Sequence, residues 1–358
     1  VGAVGILSAC LVLSFYSVVA GWALMYFWGA VDGSLWELVG SDYGRFFETE
    51  IAAGWRPAFW HLCMMLAAGF VVTGGVRQGI EAFNRVATPA LFAIVLVLAG
   101  VALSLEGART GLAFLFAPDW TAFSRPGVYL AAVGQAFFSL SIGMAIFVTY
   151  GSYMAERQRI PAAAVWCAVG DTLLAVIAGL AIFPAVFSFG LDPGQGPELA
   201  FITLPALFSR MPLGHLVGAV FFGLLVTAAL TSMVSVLEVP VAYLRRVSGW
   251  NRRRVTWTAV LVIFIAGVPS ALSFGTLGEV KLAGMGVLAV VDFAASNLLL
   301  PISALLVGLF VGWIWRPEQA RASSDLAHSP VGWVWLRLVR YFAPPAILLV
   351  LLRGLDVL

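Results

Sequence analysis

Charge is what this sequence has least of. Asp, Glu, Lys and Arg make up 11% of its 358 residues, whereas soluble domains carry about 25%. With 61% hydrophobic residues and a mean hydropathy of +0.99, the composition is that of an all-α polytopic membrane protein. A net charge of +2 gives no electrostatic footprint for nucleic acid. Cysteine is scarce too. Cys10, Cys63 and Cys167 fall in apolar runs without metal-like spacing and read as small core hydrophobes. His61, His215 and His328 form no metal pattern and read as interfacial. No HExxH and no Gx-Ser-xG elbow occurs, and Asp171 and Asp292 lack the surroundings of an intramembrane aspartyl dyad, so the chain reads as no enzyme. Val1 leads straight into an apolar run, without initiator Met or signal-peptide pattern, so the reading expects a protein entered partway through.

Long apolar runs are what the chain does have. Separated by Pro, Gly and charge clusters, they predict nine spanning helices near 4–29, 58–76, 87–105, 127–154, 161–186, 214–246, 255–273, 286–314 and 331–352. Alternate loops carry most of the arginine: Arg77 and Arg85; Arg157 and Arg159; Arg245, Arg246, Arg252, Arg253 and Arg254; then Arg316, Arg321, Arg337 and Arg340. The other loops hold Arg45, Arg56, Arg109, Arg125, Arg210 and Lys281. The positive-inside rule puts the first set, and the Val1 end, in the cytoplasm, and Leu358 outside. The loop 188–213 is long and rich in Pro and Gly, as a lid would be.

Polar groups at membrane depth are the informative exceptions. In span 127–154 the centre, Phe138-Ser139-Leu140-Ser141-Ile142-Gly143, carries two hydroxyls and a glycine. Opened backbone survives in lipid only around a cavity or inside protein, so this stretch predicts a broken helix that binds a small solute and an ion. Asp171, Asp292 and Glu238 lie within spans, where ionisable groups default to function. Each is alternatively a helix-end or pore-facing group that merely finds a partner, and Glu238 fits that description best. Thr231 and Ser232 either back-bond to their own helix or supply oxygens to a hard cation. Tyr16, between Ser14 and Ser17, is either packing or a ligand contact. Together Tyr16, Ser139, Ser141, Asp171, Thr231 and Ser232 bring hydroxyls and a carboxylate from four spans to similar depth, as a sodium-sized site requires.

The string PGVYLAAVGQAFFSLSIGMAIFVTYGSY resembles the sixth helix of the neurotransmitter:sodium symporter family, bacterial branch. Other stretches agree in order: LSFYSVVAGW at 13–22 with the third helix, GIEAFNR at 79–85 with the loop into the fifth, and EGARTGLAFLFAPDW at 106–120 with the loop before the sixth. AGLAIFPAVFSFG at 178–190 resembles the end of the seventh, FITLPALF at 201–208 the lid, LTSMVSVLEVPVAYL at 230–244 the eighth, and VDFAASNLLLP at 291–301 the tenth. The resemblance covers essentially the whole chain. It implies a 5+5 inverted-repeat fold, of which helices three to eleven are present in a single domain and the first two are not. On this reading 1–126 is the remainder of the first repeat, 127–314 the second, and 331–352 an additional helix.

The resemblance implies sodium-coupled symport of a small hydrophobic amino acid across the bacterial cytoplasmic membrane by alternating access. The alternative is a transporter-like sensor or an inactive fragment, because the family's first helix supplies sodium and substrate contacts. The substrate pocket falls on Val12, Tyr16, Phe138, Ser141, Met144, Ser232 and Val236. One sodium falls on Ser139 and Asp171, the other on Ala228 (by its carbonyl), Thr231 and Ser232. Tyr16 and Phe138 close the site from outside, Gln135 and Asp292 form the outer gate, and Tyr153 belongs to the inner gate. Asp171 stands where many members have asparagine, and its fixed charge implies that chloride is not required; Ala175 nearby supplies no acid. Arg245 and Arg246 occupy places where an acidic inner-gate partner would be expected. The partners implied are amino acid, sodium and bilayer, no nucleic acid, and a homodimer remains open.

Overall fold

A computed structural model describes residues 2–37, 43–154, 159–188, 190, 199–209, 213–327 and 329–355. Arg157, Arg210, His328, Val1, Leu358 and part of the expected lid, 191–198, lie outside the described residues.

Among the described residues, eight helical stretches are long and apolar enough to cross a membrane. They are α1 (Gly2–Asp32), α3 (Arg56–Thr73), α4 (Ala82–Leu103, led in by a π-helical turn Val76–Glu81), α8 (Ile160–Ser188), α10 (Gly214–Ser248), α11 (Arg252–Ala271), the run Val287–Ile314 and the run Pro330–Gly354. Short helices α2 (Tyr43–Ala52), α5 (Ala108–Phe116) and α9 (Leu204–Phe208) lie in the connections. The fourth expected span, 127–154, is divided into α6 (Pro126–Ser139) and α7 (Ile146–Gly151). The run Val287–Ile314 contains α12 (Val287–Asp292) and α13 (Leu300–Leu309) around the π-helical turn Phe293–Leu299. A small hairpin, β1 (Lys281–Leu282) and β2 (Met285–Gly286), precedes it. After α14 (Pro317–Ser323), the last run joins α15 (Pro330–Arg337) and α16 (Ala343–Gly354).

Two expected loops are helical instead. Residues 79–85 continue into α4, where Arg85 and Glu81, one turn apart, pair at 2.8 Å. Within 106–120, α5 packs on α8.

Helix α1 is the central post, packed on α10, α3 and α11. Its serine hydroxyls need no outside partner: Ser8, Ser14 and Ser17 donate to the carbonyls of Val4, Leu11 and Leu13, which satisfies them in an apolar surrounding. Where α1, α3 and α11 meet, a Cβ on Gly267 would lie 2.4 Å from the Ser14 carbonyl oxygen, so only glycine lets the helices approach. His61 sits at this junction, fully buried, with Nε2 3.1 Å from the Phe264 carbonyl oxygen. That corrects its reading as interfacial; a backbone carbonyl across the junction meets one ring nitrogen, while the buried Nδ1 has no partner among the described residues. His215 is exposed and stacks on Trp36 at 5.1 Å.

The buried side chains form two clusters. One is aromatic, with Trp22, Tyr26, Phe47, Phe201 and Phe222 in edge and tilted contacts. The other is aliphatic and methionine-rich, around Leu13, Met65, Met233, Leu237 and Ile263. The α6–α8 side differs. No residue of α6 is buried, and α8 buries only residues toward its C-terminal end. Cys167 on α8 is accordingly exposed rather than a core group.

Candidate functional site

The chain opens at 140–145, between α6 and α7. Ser141, Gly143 and Ala145 all have positive φ, at 53°, 104° and 56°. Such torsions disfavour L side chains. Gly143 is required for space as well: a Cβ there would lie 2.4 Å from the Leu300 carbonyl oxygen. The amides of Ser141 and Ile142 donate to Phe138 and Phe137 at 3.0 Å, leaving the i→i−4 ladder. This is the break expected from the hydroxyls and glycine, set slightly C-terminal of the expected centre, Phe138 to Gly143.

At the break's first edge the Ser139 hydroxyl donates to Asp171 Oδ2 at 2.9 Å, bridging α6 and α8. Ser139 is exposed and Asp171 partly so. On α10 the Thr231 hydroxyl donates to the Ala228 carbonyl at 2.8 Å. The back-bond expected of this pair is therefore present, and it sets side by side the two oxygens that the resemblance gave to sodium. Ser232 faces the Tyr16 side chain from α10. Val12, Met144 and Val236 are buried in one cluster, with Tyr16 packed against it, so the apolar wall of the expected pocket is assembled. Ser141 is partly buried at the opened turn.

Other expected site residues are not brought together. Phe138 is 57% exposed, and among the described residues no aromatic ring stacks on it or on Tyr16. Gln135 is exposed, while Asp292, at the end of α12, accepts from the Ser296 hydroxyl one turn on at 2.7 Å. A cavity of about 380 Å³ lies between α4, α8, α9 and α10; its lining side chains are all apolar and include Ala228 but none of the other expected ligands.

Sequence reasoning missed a second centre two turns along α10. Glu238 is fully buried. Its Oε1 accepts from the Tyr153 hydroxyl at 2.7 Å and from Arg252 Nη1 at 3.0 Å, while Arg252 Nη2 bonds Oε2. Arg252 Nε donates to the Val72 carbonyl at 2.8 Å, tying in α3. Tyr153 and Arg252 thus meet on one carboxylate of α10, and Arg252 links it to α3. Glu238 was legible only as a costly charge, and Arg252 was hidden among its neighbours in an arginine-rich loop. The expected Arg245 and Arg246 are both exposed.

The donors around the break are hydroxyl, carboxylate and carbonyl oxygens. Among the described residues no group of three or more His, Cys, Asp or Glu is gathered. Such a set suits a hard cation with oxygen ligands.

The model of the sodium:neurotransmitter symporter family matches residues 54–355. The uncharacterized sodium-dependent transporter YhdH of Bacillus subtilis is 38% identical over all of this chain and 80% of its own length. The sodium-dependent nutrient amino acid transporter 1 of Drosophila grimshawi is 28% identical over 75% of this chain and 43% of its own. The crystal structure of MhsT in complex with L-phenylalanine matches with a TM-score of 0.88 and 47% identity, covering 99% of this chain and 80% of that one.

Proposed function

The chain belongs to the sodium:neurotransmitter symporter family, and on that premise we propose that it serves sodium-coupled symport of a small hydrophobic amino acid. The observation that carries this reading is the opened turn at 140–145, flanked by the Ser139–Asp171 pair and faced by Tyr16 and Ser232. Unwound backbone at membrane depth supplies amides and carbonyls for a zwitterion, as in transporters with broken helices. Val12, Met144 and Val236 offer its side chain an apolar wall. The 47% identity to a protein crystallised with L-phenylalanine favours an amino acid of this kind.

Two sodium sites complete the proposal. One uses Ser139 and Asp171; the other uses the Ala228 carbonyl, Thr231 and Ser232. A cation beside the substrate carboxylate lowers the cost of holding that carboxylate in the membrane, and each ligand raises the other's affinity by the same factor. The fixed charge of Asp171 takes the place of chloride. The arginine-rich loops face the cytoplasm, as does the Val1 end, and Tyr153, Glu238 and Arg252 close the inner side. Residues 1–126 and 127–314 belong to opposite repeats of the fold.

The test is uptake by the full-length protein in proteoliposomes, across a panel of amino acids with and without a sodium gradient. Sodium-dependent uptake of apolar amino acids is expected, independent of chloride. Thr231→Ala should raise the sodium concentration for half-maximal uptake by about tenfold, a loss of about 1.4 kcal/mol, with the order of preferred substrates unchanged. Uptake indifferent to sodium sinks the symport reading, and unchanged sodium dependence in the variant sinks this assignment of Thr231.

A further inference from the structure

The corner between α10 and α11 carries more positive charge than the Glu238 centre uses. Arg245, Arg246, Arg252, Arg253 and Arg254 fall within ten residues. The turn is tight: α10 stops at Ser248 with Gly249 at φ 68°, and Asn251 caps α11 by accepting the Arg254 amide at 2.9 Å. Arg252 turns inward to Glu238. Arg245, Arg246, Arg253 and Arg254 are exposed, and none forms an ion pair with a described residue.

The surface beside these charges is apolar. Arg254, Trp257, Leu261 and Ile265 recur at the spacing of one helical stripe. Leu261 and Ile265 are 57% and 59% exposed, and the Trp257 ring meets the exposed ring of Phe70 at 5.1 Å. On a membrane helix such a stripe faces acyl chains. At 1.5 Å per residue, Arg254 stands roughly 10 Å beyond Leu261, toward the loop. Its guanidinium lies 4.0 Å over the Trp250 ring, and an aromatic residue at a helix end marks headgroup level. The N-terminus of the twenty-residue α11 adds its own positive dipole end.

We propose that this corner is a binding site for an anionic phospholipid, whose phosphate sits among Arg253, Arg254 and Trp250 and whose acyl chains lie along Trp257, Leu261 and Ile265. A soluble phosphate ester matches the guanidinium groups but leaves the stripe uncovered. A zwitterionic lipid covers the stripe but brings an ammonium toward four arginines. Only a lipid with net negative charge meets both demands. The proposal is independent of which solute the protein carries.

The experiment is native mass spectrometry of delipidated full-length protein titrated with phosphatidylglycerol, phosphatidylcholine or glycerol 3-phosphate. Phosphatidylglycerol should bind at least tenfold more tightly than phosphatidylcholine. R253Q/R254Q should lose roughly tenfold of that preference, as two interfacial arginines imply, while R109Q, an exposed arginine remote in sequence, should lose none. Equal binding of the two lipids overturns the proposal, as does full phosphatidylglycerol preference in R253Q/R254Q. Glycerol 3-phosphate displacing the lipid at equal concentration overturns it in favour of a phosphate-ester site. Should R253Q/R254Q not fold, the unaltered protein decides. Its preference must fall as salt is raised, and a salt-independent preference rules out the guanidinium–phosphate contact.

Discussion

Helices α6 and α10 both carry residues of the candidate site, and they are held in opposite ways. Helix α10 has buried residues from Gly214 to Val241, and Met233, Val234, Leu237 and Glu238 are fully buried. Helix α6 buries no residue and rests mainly on α16. The hydroxyl and carbonyl of Thr231 and Ala228 are therefore positioned by the core itself. Ser139, on a helix that buries nothing, and Asp171, in the part of α8 that buries no residue, are tied to each other by a hydrogen bond. Rigid support on one side and loose support on the other is an arrangement that lets a binding site close around a ligand. It also separates two kinds of failure: changes on the α10 side should cost folding as well as function, and changes on the α6–α8 side should cost function alone.

The sharpest test is Arg252→Ala. It leaves the fully buried Glu238 with only the Tyr153 hydroxyl. Removing one partner of a buried pair costs about 3–5 kcal/mol, so unfolding in detergent should come at a markedly lower temperature and uptake should vanish. Replacing both Arg252 and Glu238 with apolar residues should recover most of the stability and little of the transport. A stable, active Arg252→Ala protein would erase the contrast.

Gly143→Ala comes next. The new methyl would meet the Leu300 carbonyl oxygen at 2.4 Å, on a residue with φ 104°. Strain of this kind is worth about 1–3 kcal/mol. Because α6 is so little packed, the segment should give way rather than the fold. Uptake should fall more than tenfold, a factor that corresponds to about 1.4 kcal/mol, with only a modest drop in melting temperature.

The break was legible from sequence for a local reason: hydroxyls and a glycine at the middle of an apolar span have few explanations. The wall of Val12, Met144 and Val236 followed from the family pattern, and the core gathers it. The Glu238 centre was not legible. Its partner lies across a helix boundary, and nothing in the sequence marks which of five neighbouring arginines turns inward. His61 was misread because its partner is a backbone carbonyl, which leaves no trace in side-chain patterns. The loop read into 79–85 proved helical, as did the Ala108–Phe116 part of 106–120, which packs against α8.

Asp171→Asn addresses the loose side with a smaller effect. Asp171 is partly exposed and bonds only the Ser139 hydroxyl among the described residues. An asparagine amide oxygen can still accept that bond, so stability should stay within about 0.5 kcal/mol, as for other substitutions away from packed groups. What is lost is the charge. Sodium affinity should fall by roughly tenfold, because a neutral oxygen replaces an anionic one beside the cation. Chloride should then stimulate uptake, by restoring a negative charge near the site. Uptake measured in chloride and in gluconate separates the outcomes. Sodium affinity unchanged in both media would detach Asp171 from the ion, and a large loss of thermal stability would mean that the α6–α8 side is held as firmly as α10.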